Sequence, residues 1–275
     1  ESGEAAPGSW RKAKMYDRYT EYLFMDILVP VDGTPEGWLV FDQAAVIAGR
    51  EEAQLHGLHI VGAEAQKVSQ EALAIQSQFN QKCEAAGLAG SLLIEAGKVA
   101  DKICERALLT DLVVLNAVRP PLAGLSSLGS SLRSIIRRCA RPLLTGPCYA
   151  CASSPMDRAL LAFDGSPKAR EALFVATYLA EQWKTTLTVV ALLHGSRVKP
   201  SVLDYARAYL ELHELQADYL LEKGRINLLH RIMDERNINV LLMGSYSDSA
   251  LEEVIGGSAV NFMLREKHSP IFICR

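Results

Sequence analysis

Short apolar runs alternate along the chain with longer stretches in which apolar residues recur at helical spacing, and the alternation happens twice. One segment reads Ile27-Leu-Val-Pro-Val-Asp32-Gly33-Thr34-Pro35, and a later one reads Ala159-Leu-Leu-Ala-Phe-Asp164-Gly165-Ser166-Pro167. Each is an apolar strand that ends in Asp-Gly, followed by a hydroxyl residue and a proline. The hydroxyl side chain caps free N–H groups at a helix start, and proline fits the first helical position. Helices are therefore predicted from these points to about Arg50 and Trp183.

Three further matches follow in the same order. Leu92-Leu-Ile-Glu-Ala-Gly97-Lys98 corresponds to Tyr219-Leu-Leu-Glu-Lys-Gly224-Arg225, each a short strand ending in glycine before an amphipathic helix. Asp111-Leu-Val-Val-Leu-Asn116 corresponds to Asn239-Val-Leu-Leu-Met-Gly244, both of buried-strand type. Gly129-Ser130 corresponds to Gly257-Ser258, each opening a helix, and Pro142 and Pro270 each stand 13 residues later at the start of a last apolar strand. Asp32 precedes Gly129 by 97 residues and Asp164 precedes Gly257 by 93, so the separations repeat as well as the words. The chain is a tandem duplication. Second strands are predicted at 58–61 and 187–193, and the alternation of strand and helix within each copy argues for a parallel sheet covered by helices on both faces. The expected organisation is an N-terminal extension at 1–25, a first domain at 26–147, a linker at 148–156 rich in turn formers, and a second domain at 157–275. Within the extension, Trp10, Tyr16, Tyr19 and Tyr22 mixed with Lys and Arg suit a short amphipathic helix or the tail of an upstream region.

Composition narrows the function classes. The 29 basic and 32 acidic residues nearly cancel, which removes any electrostatic reason to expect nucleic acid or an anionic membrane as partner. No apolar run approaches the roughly 20 residues that span a bilayer, so no membrane insertion is expected. The start is polar and small and reads as no signal peptide; it does not begin with Met, so a piece of a longer protein is one reading. The six cysteines (Cys83, Cys104, Cys139, Cys148, Cys151 and Cys274) lie mostly in apolar or helical stretches, as thiols of a reducing, cytoplasmic compartment do.

In open parallel sheets ligands sit beyond the carboxyl ends of strands, where neighbouring connections diverge. That points to Asp32, Asp164 and the loops after Asn116 and Gly244. The second such loop reads Gly244-Ser-Tyr-Ser247-Asp-Ser-Ala-Leu-Glu-Glu-Val-Ile-Gly256-Gly257-Ser258. Glycine permits close backbone approach, and N–H groups at the following helix start attract phosphate. Here the sequence resembles the universal stress protein family, in its tandem, two-domain form, over nearly the whole chain after residue 25. Nucleotide-binding members of that family carry Gly, two residues, Gly, nine residues, then Gly-Ser or Gly-Thr. The second copy gives Gly244, Ser247 and Gly257-Ser258 at that spacing; the first gives Asn116, Arg119 and Gly129-Ser130, with only the last pair kept.

The resemblance implies two tandem doubly wound five-stranded sheets of order 3-2-1-4-5, whose last strands pair across a domain or dimer interface. It implies an adenine nucleotide, ATP or another, in the second copy, with Asp164 at the ribose and Met243 against the base. Gly244, Ser247, Gly257, Ser258 and Ala259 would then cradle the phosphates, and Asp32, Gly129 and Ser130 form a weaker counterpart in the first copy. Ser247 in place of glycine costs roughly 1 kcal/mol if positive φ is needed there. Arg119 with Pro120 and Pro121 is the larger departure, since the prolines remove two backbone donors.

Plainer readings stand beside these. Both aspartates also suit strand ends that merely start a turn, and Gly257-Ser258 suits a helix cap. Cys148-Tyr-Ala-Cys151 has metal or redox spacing but lacks a second ligand pair, and the six histidines show no metal-ligand spacing. His59 is expected to be a satisfied structural residue. Arg133, Arg137, Arg138 and Arg141 read as a solvated helix face complementing the dipole at its end. No nucleophile elbow, Walker lysine loop or acid paired with histidine appears, so the chain is expected not to be an enzyme, slow ATP hydrolysis being the one activity left open. The expectation is a cytoplasmic regulatory, stress-response module, a homodimer with a protein partner of unknown kind. The alternatives are a nucleotide-free interaction module and the soluble regulatory end of a membrane transporter.

Overall fold

A computed structural model describes residues 21–116, 130–146, 153–193, 201–245, 260, 263–264 and 269–275. The first half runs β1 (Asp26–Pro30), α1 (Pro35–Glu51), β2 (Gln54–Val61), a short 3-10 helix (Glu64–Val68), α2 (Gln70–Ala85), β3 (Gly90–Ala96), α3 (Val99–Ala107), β4 (Leu112–Leu115), α4 (Ser130–Arg138) and β5 (Leu143–Thr145). The second half repeats the order with β6 (Arg158–Ala162), α5 (Pro167–Gln182), β7 (Thr186–Leu193), α6 (Val202–Leu212), β8 (Ala217–Lys223), α7 (Leu228–Glu235), β9 (Val240–Gly244) and β10 (Ile271–Cys274). The predicted helix starts are present: Thr34 Oγ1 accepts from Gly37 N–H at 3.2 Å and Ser166 Oγ from Ala169 N–H at 3.2 Å, with Pro35 and Pro167 opening the helices. Strand β2 begins four residues before the predicted start, because Gly57 interrupts the apolar run. A Cβ at Gly57 would lie 2.8 Å from the ring of Phe79, so the gap in the pattern is the space that this buried aromatic occupies.

Each half has the strand order 3-2-1-4-5, and the two expected sheets are one. The order across the molecule is β3-β2-β1-β4-β5-β10-β9-β6-β7-β8, parallel within each half and antiparallel only where β5 meets β10. The register there is Ile271 with Thr145, Phe272 with Leu144 and Ile273 with Leu143. Pro142 and Pro270 are equivalent in the duplication, which makes Leu144 and Phe272 equivalent too. Equivalent residues that face each other across an antiparallel pair mark a two-fold axis, so the repeats join as a symmetric dimer would, within one chain.

Successive residues of a strand point to opposite faces, so each strand feeds two cores. On one face Ile27, Val29, Leu144, Phe272 and Leu161 pack under α1, α2, α5 and α6. On the other Leu28, Leu143, Ile271, Ile273 and Leu160 pack against α3, α4 and α7. Both cores run through the seam without a break. No described helix is long and apolar enough to cross a membrane.

A polar contact also ties the halves. Gln43 of α1 is fully buried; its carboxamide oxygen accepts from Ser154 N–H at 2.7 Å and its Nε2 donates to Ser154 C=O at 3.2 Å. Ser154 Oγ in turn donates to the Asn239 carbonyl at 2.7 Å. The expected linker therefore ends in a buried, paired backbone. Gln43→Ala is expected to orphan both Ser154 groups and to lower the free energy of unfolding by about 1–3 kcal/mol for each. Gln81→Ala, on the exposed face of α2, is expected to stay within about 0.5 kcal/mol of the parent when both variants are unfolded in urea.

Candidate functional site

In this strand order the connections diverge between β1 and β4 and again between β6 and β9, so each repeat has one crevice at its carboxyl strand ends. Asp32 and Asp164 lie there, both exposed, each just beyond its strand. Gly33 and Gly165 follow with φ of +81° and +79°, the left-handed region that turns the chain into the next helix. A Cβ on Gly33 would meet Ile75 of α2 at 2.6 Å, and one on Gly165 would meet Val202 of α6 at 2.7 Å. Each turn is thus closed by the helix that follows the second strand of its repeat.

The two carboxylates are used differently. Asp32 Oδ1 accepts from Thr34 N–H at 3.0 Å and from Thr34 Oγ1–H at 2.6 Å. It rests over the start of α1 because Gly37 stands beneath it; a Cβ there would come within 2.5 Å of Oδ1. The equivalent of Gly37 is Ala169, whose methyl occupies that direction in the second repeat. Asp164 Oδ1 accepts from Ser166 N–H at 2.9 Å. The turn-starting role weighed for both aspartates is therefore present in both, and the first is held more closely than the second.

Strand β9 lies beside β6 with Met243 opposite Ala162, which brings Gly244 next to the Asp164 turn. A Cβ on Gly244 would lie 2.9 Å from the carbonyl carbon and Cβ of Lys168 and 3.0 Å from Ala169 N. The absence of a side chain at 244 is what lets the first turn of α5 enter the fork between β6 and β9, a packing reason for this glycine that holds with or without a ligand. The Met243 side chain is 5 % exposed and belongs to the core with Leu160, Val190 and Leu264. Ser247, Gly257, Ser258 and Ala259 lie outside the described residues, as do Gly129 and the Ser130 side chain.

Residue-by-residue motif reading did not single out the charge at the two helix starts. The first turn of α1 carries Glu36, followed by Trp38; the equivalent positions of α5 carry Lys168 and Arg170. The Arg170 guanidinium lies 4.8 Å from the ring centre of Tyr205, which stacks on Phe163 at 6.1 Å, one residue before Asp164. The second crevice thus has a basic and aromatic rim where the first has an acid. Elsewhere His59 Nδ1 sits 2.9 Å from the Val31 carbonyl, the structural role expected for it. Arg141 donates to the carbonyls of Ala107 and Leu108 at the end of α3, and Arg138 pairs with Asp101. That hydrogen bond and charge hold the Asp101 carboxyl below its ordinary range. Burial pushes the Cys83, Cys104 and Cys139 thiols up, which keeps them protonated and weak as nucleophiles. No group of three or more His, Cys, Asp or Glu is placed to hold a metal among the described residues.

Residues 24–145 match the model of the universal stress protein family. Among solved structures, a universal stress protein from Archaeoglobus fulgidus DSM 4304 aligns with a TM-score of 0.78 at 18% identity, over 92% of this chain and 97% of that one. A putative universal stress protein from Pseudomonas aeruginosa UCBPP-PA14 aligns with a TM-score of 0.67 at 18% identity, over 91% and 93%. No curated protein matches the chain. Residues 24–145, the first repeat, carry the universal stress protein family's sequence pattern, and the chain as a whole has the fold of these solved structures, its strand order present twice.

Proposed function

We propose that this chain is a cytoplasmic, regulatory universal stress protein that binds an adenine nucleotide in its second repeat, between the carboxyl ends of β6 and β9. The observation that carries the reading is the charge reversal at the helix starts. A helix N-terminus favours acids, as Glu36 in α1 illustrates, and a base there works against the macrodipole by about 0.3–1 kcal/mol. Lys168 and Arg170 in the first turns of α5 place positive charge beside the second crevice, where the helix start already favours an anion. In this reading Asp164 receives the ribose hydroxyls and Gly244 admits close approach of the chain. The segment with Ser247, Gly257, Ser258 and Ala259 supplies phosphate contacts in the manner of the family motif.

The first repeat is read as nucleotide-free and as a surface for a protein partner. Asp32 is engaged by Thr34, the helix start is acidic, and Arg119-Pro120-Pro121 replaces the motif's glycine.

Calorimetry with ATP, ADP, AMP and cyclic AMP tests the reading: one site per chain is expected for at least one of them. Folded protein that gives no heat at millimolar concentrations of all four would defeat it. Lys168→Glu, which copies the first repeat, is expected to weaken binding by about tenfold or more, equivalent to about 1.4 kcal/mol. Asp164→Asn is expected to weaken binding, and Asp32→Asn to leave it unchanged.

A further inference from the structure

Glu51 ends α1, where the helix dipole disfavours an acid, and its side chain is 0 % exposed. Nothing in α1 itself accounts for a carboxylate there. Its partners come from two other parts of the chain. Oε2 accepts from the N–H groups of Leu23 and Phe24, both at 3.0 Å. Oε1 accepts from the Trp183 indole N–H at 2.6 Å. The Tyr178 hydroxyl lies 2.9 Å from Oε1 and 2.8 Å from Oε2 and donates to the pair, while its oxygen accepts from Leu23 N–H at 2.9 Å. Burial, then the Glu51 carboxylate, push the Tyr178 phenol well above its ordinary value.

The surroundings are largely aromatic. The ring of Phe24 meets Tyr178 at 6.1 Å and Trp183 at 6.5 Å edge-on, and stacks on Phe272 at 5.8 Å. The Arg50 guanidinium covers the outer side of Trp183, 5.0 Å from the ring centre. Phe272 is the residue on the two-fold axis, and Glu51 and Trp183 are themselves equivalent positions of the duplication. A strictly symmetric pairing of either repeat with its own copy would set carboxylate against carboxylate, or indole against indole. The bond between Glu51 and Trp183 exists only between unlike repeats.

We propose that Glu51 is an inter-repeat latch: it selects the pairing of the first repeat with the second and straps residues 21–24 across both. The helices that it joins are the ones whose opposite ends form the Asp32 and Asp164 turns, so the latch fixes the two crevices in one frame. A buried carboxylate with a donor at each contact is stable only while all three segments are in place, which makes its opening a concerted event. This inference does not depend on a nucleotide.

The test uses the full chain and three variants. Glu51→Gln sets a carboxamide N–H against a donor, while Tyr178→Phe and Trp183→Phe each remove one donor and keep a ring. The parent is expected to unfold in one transition by circular dichroism and by tryptophan fluorescence. The Leu23 and Phe24 amides are expected to be among its slowest to exchange hydrogen. Glu51→Gln is expected to speed exchange at those amides by at least about hundredfold and to split unfolding into two transitions. Tyr178→Phe and Trp183→Phe follow in the same direction and carry the test if Glu51→Gln does not fold. Ile75→Val, a core change far from the seam, is expected to lower the midpoint while keeping one transition and slow exchange at residues 23 and 24. A parent that unfolds in two steps, or donor variants that behave as Ile75→Val does, would overturn the proposal.

Discussion

One strand pairing organises this molecule: the antiparallel contact of β5 with β10. Without it there would be two five-stranded sheets, each with an open edge at its last strand, where unpaired N–H and C=O groups would face water. With it the backbone groups of both edges are satisfied and two cores become continuous from one repeat to the other. The strands involved are short and buried, their pairing joining two sheets whose faces the flanking helices cover. Thr145 marks the economy of the arrangement, since its buried hydroxyl accepts the Ile271 N–H at the end of the ladder.

A two-fold seam imposes symmetry, and the two repeats break it in chemically specific ways. Near the axis the break joins the halves, through Glu51 against Trp183 and through Gln43 against the chain entering the second repeat. At the far ends of the same helices it separates them. Gly37 lets Asp32 fold onto its helix, whereas Ala169 does not; Glu36 complements its dipole, whereas Lys168 opposes it. The scaffold is shared, and the crevices differ by a handful of side chains, which lets one fold present two chemically distinct surfaces in one chain.

Much of the scaffold was legible in the sequence because it rests on local chemistry. The Asp-Gly-hydroxyl-Pro words announce a positive-φ turn and a capped helix through neighbouring residues alone, and both are where the words stand. Pro142 and Pro270 mark the entries to β5 and β10 for the same reason: proline can begin a strand without losing a ladder bond. The site was less legible. Gly244 has the look of a phosphate-approach glycine, yet the backbone of Lys168 alone already forbids a side chain there. Glu51 and Gln43 read as ordinary polar positions of an amphipathic helix, because the donors that bury them come from more than 100 residues away in sequence or from the segment before β1. The exchange of Glu36 for Lys168 stands in plain view when the repeats are aligned. Its meaning appears only once the helix start is seen to enter the fork between two strand ends.

Two crevices built on one frame are proposed to differ in what they bind. An amide nitrogen–proton correlation titration of the folded chain with ATP reads both at once. Saturable shifts are expected at Gly165, Ser166, Ala169 and Gly244, with Gly33, Thr34 and Gly37 unmoved. Equal shifts in both sets, or stillness in both at millimolar nucleotide, would contradict that proposal.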